Sequence, residues 1–403
     1  MKKQTTFVLM AAVLLFSCKK SNEIQVADPK VEDSNKKTTA VTSINASALQ
    51  QTVQGFGGAS IPIWIGDLTS AQREKAFSAT NGIGLSILRV MVPTSSNQFA
   101  AEKATIDAAK GYGAKVIATA WNAPASMMDG LKLKTSSYSA YANHLSSYNS
   151  AVGGVYAISP WNEPNYSVSG WMGATATEVA NFVADQGSNC GAPIMAPEPL
   201  DMSQSFINTY LSNATAKAKT LFVCGHIYGS TPYNLGNIGK SVWQTEHYTN
   251  SQISGNDWGN AMTAAKEIHD CMNAGWAAYV WWYIRRSYGP IDESSNITKL
   301  GYVMAQFARY VRPGSSKISC SANPTPGVFV TAYKNGSKIS IVIVNQNAAT
   351  TYQTFSLSGI TVTGFNRYFT TSSTNLGSNT FSVTNNSFGI NLAPSSVTTL
   401  VSQ

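Results

Sequence analysis

The chain has 403 residues, 43% of them hydrophobic and only 12% charged, which excludes a sequence too polar to bury a core and exceeds one ordinary domain. Its surface must therefore be covered by uncharged Ser, Thr, Asn and Gly, as is common outside the cell. The formal net charge is +8, but the basic residues are scattered, which argues against a nucleic-acid surface.

Part of that charge sits at the N-terminus. Residues 1–41 hold seven Lys and four acids, so the remainder carries 21 basic and 16 acidic groups, a net +5. Such a mild positive field suits an acidic polymer. Lys2 and Lys3 form a basic start, and Phe7 to Phe16 an apolar stretch too short to span a bilayer. Leu15-Phe16-Ser17-Cys18 resembles a bacterial lipobox. Residues 1–17 are thus expected to be a lipoprotein signal peptide, with Cys18 lipidated. The alternative is an ordinary cleaved signal with an incidental Cys. Residues 18–41 are polar and lack apolar periodicity, so they are expected to form a flexible tether.

From residue 54 onward, eight short apolar runs alternate with amphipathic or Ala-rich segments. They are Gln54–Ser60, Leu85–Val92, Lys115–Asn122, Val155–Glu163, Pro193–Glu198, Thr220–Gly229, Ser241–Tyr248 and Ala277–Ser287. Continuous apolar strands imply parallel strands buried on both faces. Helices are expected at Ser70–Ser78, Gln98–Ala109, Thr177–Asp185 and Trp258–Met272. Eight β-α units over 54–312 match an α/β fold of the (β/α)8 TIM-barrel type.

After Arg312-Pro313-Gly314 the texture changes to Ser/Thr/Asn-rich alternation. Val328–Tyr333 and Lys338–Val344, separated by Lys334-Asn335-Gly336-Ser337, read as a hairpin. Residues 313–403, joined by 42–53, are expected to form a side β-sandwich. Cys190, Cys224, Cys271 and Cys320 lack metal-site or CxxC spacing. Disulfides and buried free thiols both stay open.

The active site of such a barrel lies at the C-terminal ends of its strands. The fourth run ends in Trp161-Asn162-Glu163-Pro164 and the seventh in Gln244-Thr245-Glu246-His247-Tyr248. Two carboxylates converging on the mouth suit glycoside hydrolysis, in which one protonates the leaving oxygen and the other attacks the anomeric carbon or activates water. Trp64, Trp121, Trp161, Trp243, Trp281 and Trp282 lie at or near strand ends, where aromatic planes can stack on sugar rings, although Trp243 and Trp281 could face outward under the helices. His226 and His247 read as hydrogen-bond donors in the cleft, and Tyr228 and Tyr283 as further substrate contacts. No metal site and no cofactor motif appears, and a monomer is expected.

Several motifs resemble glycoside hydrolase family 30, and within it the subfamily 8 glucuronoxylanases. They are Gly55-Phe56-Gly57-Gly58, Gly66-Asp67-Leu68-Thr69, Ser86-Ile87-Leu88-Arg89, Trp121-Asn122, Asn162-Glu163-Pro164, Ala196-Pro197-Glu198, Thr245-Glu246 and Tyr310–Gly314. The most specific runs from Ala278 through Trp281-Trp282-Tyr283-Ile284-Arg285-Arg286-Ser287-Tyr288 to Pro290. The resemblance covers roughly 45–403. It implies Glu163 as acid/base, Glu246 as nucleophile and Asn162 as a contact to the sugar 2-hydroxyl. It also implies that Tyr248, Ser251, Arg286 and Tyr288 read a glucuronic acid branch. Arg286 offers a bidentate fork for that carboxylate. Pro160-Trp161 stand where many members have Val-Gln, and the loop after Trp121-Asn122 is short.

The expected activity is therefore a retaining endo-β-1,4-xylanase on glucuronoxylan, exported as an outer-membrane lipoprotein or secreted, and touching membrane only through its lipid. A family 30 xylanase or β-glucanase indifferent to glucuronic acid is one alternative. A non-catalytic glycan-binding lipoprotein is another.

Overall fold

The computed structural model describes residues 40–166 and 170–403. The signal peptide, Cys18 and nearly all of the expected tether lie outside the described residues.

All eight apolar runs form strands. In chain order they are Gly55–Ala59, Ile87–Met91, Lys115–Thr119, Ala157–Ser159, Ile194–Pro197, Thr220–His226, Ser241–His247 and Ala278–Tyr283. Each pairs in parallel with the next, and the eighth pairs with the first to close the barrel. Side chains alternate inward and outward along a strand. Ile87, Ile117, Ala157, Met195, Phe222, Cys224 and Trp243 belong to one buried cluster that fills the lower interior. Two positions further along their strands, Arg89, Thr119, Ser159 and His226 form a buried polar layer at the mouth. The outward set, including Leu88, Val90, Val116, Ile158 and Val223, packs under the helices in the main core. A Cβ on Gly57 would lie 2.4 Å from the Ile87 carbonyl, so only glycine permits this approach of the first strand to the second.

The covering helices are Ser70–Phe77, Lys103–Gly111, Tyr138–Ala151, Ala176–Gln186, Gln204–Leu211, Ala214–Lys219, Trp258–Asn273 and Lys299–Ala308. Thr69 with Gln72, and Thr175 with Glu178, form capping boxes that fix two helix starts. The expected eight-stranded (β/α)8 barrel is thus present, with one local departure: the sixth crossover, residues 227–240, contains no helix. Tyr233, Leu235 and Ile238 pack against the core from this connection. The Trp276 indole donates to the Tyr233 carbonyl at 3.0 Å.

The side domain is one nine-stranded sheet rather than two separate ones. Its order is Gly377–Ser382, Gly364–Thr370, Ser396–Ser402, Lys338–Asn345, Val328–Asn335, Ser316–Cys320, Thr42–Thr52, Thr351–Ser358, Ser387–Leu392. The sheet curls until its ends meet. Phe365 and Phe381 near one end lie with ring centroids 5.1 and 5.4 Å from Phe388 at the other. The expected hairpin is present, but pairing extends to Asn335 and Lys338, so its turn is Gly336-Ser337. Cys190, Cys224, Cys271 and Cys320 are all free, the first three buried.

Candidate active site

The polar layer above the barrel floor is organised by one cation. Arg89 points inward from the second strand and is fully buried. An arginine in such a place must be paired. Its Nη1 donates to Glu246 Oε2 at 2.6 Å. Its Nη2 donates to Asn162 Oδ1 at 2.7 Å and Glu198 Oε1 at 3.1 Å. The guanidinium also lies 4.6 Å from the Trp121 ring centroid and 5.8 Å from that of Trp282, within cation–π range.

Glu246 accepts a second hydrogen bond, on Oε1 from Tyr228 at 2.9 Å. Both oxygens of this carboxylate are thereby aimed. Burial raises the Glu246 carboxyl above its usual range against the pull of His226 and Arg89, and Glu163 adds to the rise. Burial and Glu246 push the Tyr228 phenol well up, so it stays protonated as the donor.

Glu163 follows the fourth strand and Glu198 the fifth. Both hold left-handed backbone, with φ of 46° and 59°, a conformation that costs a non-glycine residue on the order of 1–3 kcal/mol and clusters at functional sites. A hydrogen bond from Glu163 N to the Glu198 carbonyl, 3.0 Å, joins the two turns. Glu198 is fully buried, and burial alone would raise its carboxyl; Arg89 and His226 instead hold it at about 2. Thr119 donates to it at 3.1 Å.

His226 links the two turns through its ring. Nδ1 lies 2.7 Å from Glu163 Oε1 and Nε2 3.4 Å from Glu198 Oε1. It was expected to donate to substrate in the cleft, but it has no exposed surface; it sits one layer below, committed to these carboxylates. His247 likewise turns from the cleft to Glu267, at 2.8 Å. One oxygen of each of Glu163 and Glu246 and a ring nitrogen of His226 lie within 4.8 Å of one another. These three could present donor atoms to a cation, although the Arg89 guanidinium already places positive charge on Glu246.

The mouth is a cleft of about 500 Å³ lined by Glu163, Glu246, Asn162, Tyr228 and an aromatic wall. Trp64, on the short helix Pro62–Ile65, is 40% exposed. It meets Trp121 edge-on at 5.5 Å and Trp282 at 6.4 Å. Trp171 stacks on it at 5.6 Å and 24°. The other three expected rim tryptophans are elsewhere. Trp243 stacks on Phe222 at 3.9 Å in the lower interior. Trp161 packs outward on Phe182 at 5.2 Å, and Trp281 is buried in the same outer core.

Of the residues expected to read a branch, Tyr248 lines this cleft. Tyr248 contacts Tyr228 and Tyr288, with centroids 5.2 and 5.5 Å apart. Arg286 lies 5.6 Å from the centroid of the Tyr283 ring. Its side chain is 42% exposed and approaches Glu293 at 4.0 Å. Ser251 is half-buried in the loop after the seventh strand; no hydrogen bond among the described residues joins it to Arg286 or the tyrosines.

Arg89, Glu198, Thr119 and Trp171 were given no role by sequence. An arginine inside Ile87-Leu88-Arg89-Val90-Met91 was the available signal, because a charge in an apolar strand needs a partner.

No protein-family model matches the chain. It is 38% identical over 385 residues to glucuronoxylanase XynC of Bacillus subtilis strain 168, covering 89% of this chain and 91% of that protein. Among solved structures, a GH30 endoxylanase from Clostridium papyrosolvens C71 superposes with a TM-score of 0.84 at 30% identity, covering 90% of this chain and all of that one. The glycoside hydrolase family 30 subfamily 8 xylanase Xyn30A of Clostridium acetobutylicum gives 0.83 at 30% identity, covering 90% and 99%.

Proposed function

The chain belongs to glycoside hydrolase family 30, among its subfamily 8 xylanases, and from that premise we propose that it is a retaining endo-β-1,4-xylanase acting on glucuronic-acid-branched xylan. The observation that carries the mechanism is the closeness of its two carboxylates, with an oxygen of each within 4.8 Å of the other. Retaining enzymes keep their carboxyl groups about 5–5.5 Å apart, whereas inverting ones leave about 6.5–9.5 Å for a water.

Glu246, held by Arg89 and Tyr228, attacks the anomeric carbon. Glu163 gives its proton to the departing oxygen, then takes one from the water that breaks the glycosyl ester. Arg89 fixes Asn162 through Oδ1, which leaves the amide N–H groups for the sugar 2-hydroxyl. Trp64, Trp121, Trp282 and Tyr283 supply apolar faces for xylose rings. Arg286 pairs with the branch carboxylate, supported by Tyr248, Tyr288 and Ser251.

The catalytic unit spans 54–312, and the side domain 42–53 with 313–403. Among the described residues no helix is long and apolar enough to cross a membrane. The lipobox-like Leu15–Cys18 supports export with a lipid on Cys18.

Mass spectrometry of products tests the substrate assignment. Glucuronoxylan is expected to yield fragments each bearing one glucuronic acid near the reducing end, and arabinoxylan lacking the acid almost none. Equal cutting of both sinks the branch requirement. The contact between Arg286 and Glu293 favours that second reading, a xylanase indifferent to the branch, because it gives the arginine a carboxylate of its own.

A further inference from the structure

We propose that His226 is the positioning residue of the acid/base: as an imidazolium it occupies Oε1 of Glu163, confines the catalytic proton to Oε2, and balances a negative charge that moves between Glu246 and Glu163. The proposal rests on the assignment of Glu163 as acid/base.

The first argument is about tautomers. Glu198 is a buried anion that already accepts from Arg89 and Thr119. A carboxylate can only accept, so the His226 nitrogen facing it, Nε2, bears hydrogen. Nδ1 then either accepts a proton from Glu163 Oε1 or donates one to it, across 2.7 Å.

Charge decides between these. The groups facing His226 are Glu163 beyond the fourth strand, Glu198 beyond the fifth, Glu246 on the seventh and Tyr228 just after its own strand; Arg89, on the second, shares Glu198 Oε1 with it. With Glu163 protonated before reaction, two carboxylates face Arg89 and His226, and the buried cluster is neutral only if His226 is charged. An uncompensated charge at this depth is costly. The same environment moves the imidazole up to about 9 despite its burial, with Glu246 the largest favourable influence.

The balance survives the reaction. In the first step, Glu246 forms a bond to the anomeric carbon. The bond to the leaving oxygen breaks with its electron pair, and that oxygen takes the Glu163 proton. Glu246 becomes a neutral ester just as Glu163 becomes an anion. In the second step, water bonds to the anomeric carbon, Glu163 takes its proton, and the ester's electron pair returns to Glu246. His226 keeps both protons throughout, and the cluster is neutral at each stage.

His226→Gln keeps a hydrogen-bonding amide but cannot carry charge. The kcat/KM profile on glucuronoxylan is expected to move its alkaline limb to higher pH by about one unit or more, the usual effect of losing an adjacent opposite charge. kcat should fall with KM nearly unchanged, because the ring touches no substrate. An unmoved alkaline limb, or a rise in KM alone, overturns the proposal.

A second readout needs no variant at position 226. The chain has four His, so ¹⁵N-histidine NMR of the wild-type protein resolves few signals, and His144→Gln, His247→Gln and His269→Gln identify the other three. Both His226 ring nitrogens are expected to carry hydrogen at pH 7.5; a bare Nδ1 overturns the proposal. Failure of the acid/base assignment shows differently. In that case Glu163→Gln keeps near-normal activity, or azide fails to rescue it on an activated aryl glycoside.

Discussion

Arg89 contributes a charge that four separate strand ends depend on. Its guanidinium touches Asn162, Glu198 and Glu246 directly, and Glu198 carries its influence to His226. This makes stability depend on pH with a definite sign. The Glu198 carboxyl is held at about 2, below the usual value for the unfolded chain. Its contribution is therefore present above about pH 4.5 and fades as pH falls toward 2. The melting-temperature gap between wild type and Glu198→Gln should be widest near pH 5 and close on acidification. A gap constant down to pH 2.5 means that Glu198 is not the buried anion described. His226 acts oppositely: raised to about 9, it stabilises fully below about pH 6.5, and the benefit is lost as pH climbs through 9. Arg286 differs from Arg89 in being half-exposed, so a branch carboxylate there gains less than in a sealed pocket. Arg286→Ala should lower kcat/KM on glucuronoxylan by roughly tenfold to a hundredfold, the scale of about 1.5–3 kcal/mol for hydrogen bonds to a charged group. Slow cutting of unbranched xylo-oligosaccharides should scarcely change. Equal loss on both substrates assigns Arg286 to the barrel. The carboxylates were legible as strand-end residues. His226 was legible as a strand-end residue too, but not its depth or its carboxylate partners, because sequence gives a strand end but not the layer at which a side chain stops.

At the level of elements, pattern and observation agree where periodicity is strong. All eight apolar runs are strands because each must be buried on both faces, a signal that needs no tertiary information. The helix Tyr138–Ala151 carries a Ser- and Asn-rich sequence of lowered helix propensity. Its Tyr141, Ala142, Leu145 and Tyr148 are nonetheless buried on one face at helical spacing. The sixth crossover shows the reverse case, in which an irregular segment covers the barrel with Tyr233, Leu235 and Ile238. The last strand, Ser396–Ser402, is terminal in sequence but interior in the sheet, between Gly364–Thr370 and Lys338–Asn345. It also ties the sheet to the barrel helices. Thr399 donates to the Gln306 carbonyl at 2.7 Å, and the Trp258 indole to the Ser395 carbonyl at 3.0 Å. A chain ending at residue 395 breaks the sheet between Gly364–Thr370 and Lys338–Asn345 and leaves one edge of each unpaired, so it should be insoluble or lack near-UV circular dichroism. A soluble product melting within a few degrees of wild type contradicts this placement.

The whole molecule has its side domain built from both ends of the described chain around the barrel. Thr42–Thr52 enters the sheet before the barrel begins, pairing with Ser316–Cys320 on one side and in parallel with Thr351–Ser358 on the other. The two crossings between domains are clamped where they meet, by Val53 N to the Ser315 carbonyl at 2.8 Å and Gly314 N to the Val53 carbonyl at 2.9 Å. Gln51 reaches the Met272 and Trp276 carbonyls at the barrel base, and the Lys266 ammonium lies 4.4 Å from the Phe329 ring centroid. The sequence showed the change of texture at Pro313, but the single curled sheet depends on contacts between distant strands that no local pattern records. Barrel and sheet should therefore unfold together. Calorimetry of the chain beginning at residue 40 is expected to show one transition, with activity on glucuronoxylan equal to that of a chain beginning at Cys18, since residues 18–39 carry no apolar periodicity for packing. Beginning instead at residue 54 removes a central strand, cuts the sheet between Ser316–Cys320 and Thr351–Ser358, and takes Ile44 and Ala46 out of the second core, uncovering the apolar side chains that remain there. That shorter chain should lose activity as well as stability, although no residue of the cleft has been removed. If it keeps a melting temperature and a kcat/KM close to those of the longer chain, the barrel stands alone and the sheet is an appendage.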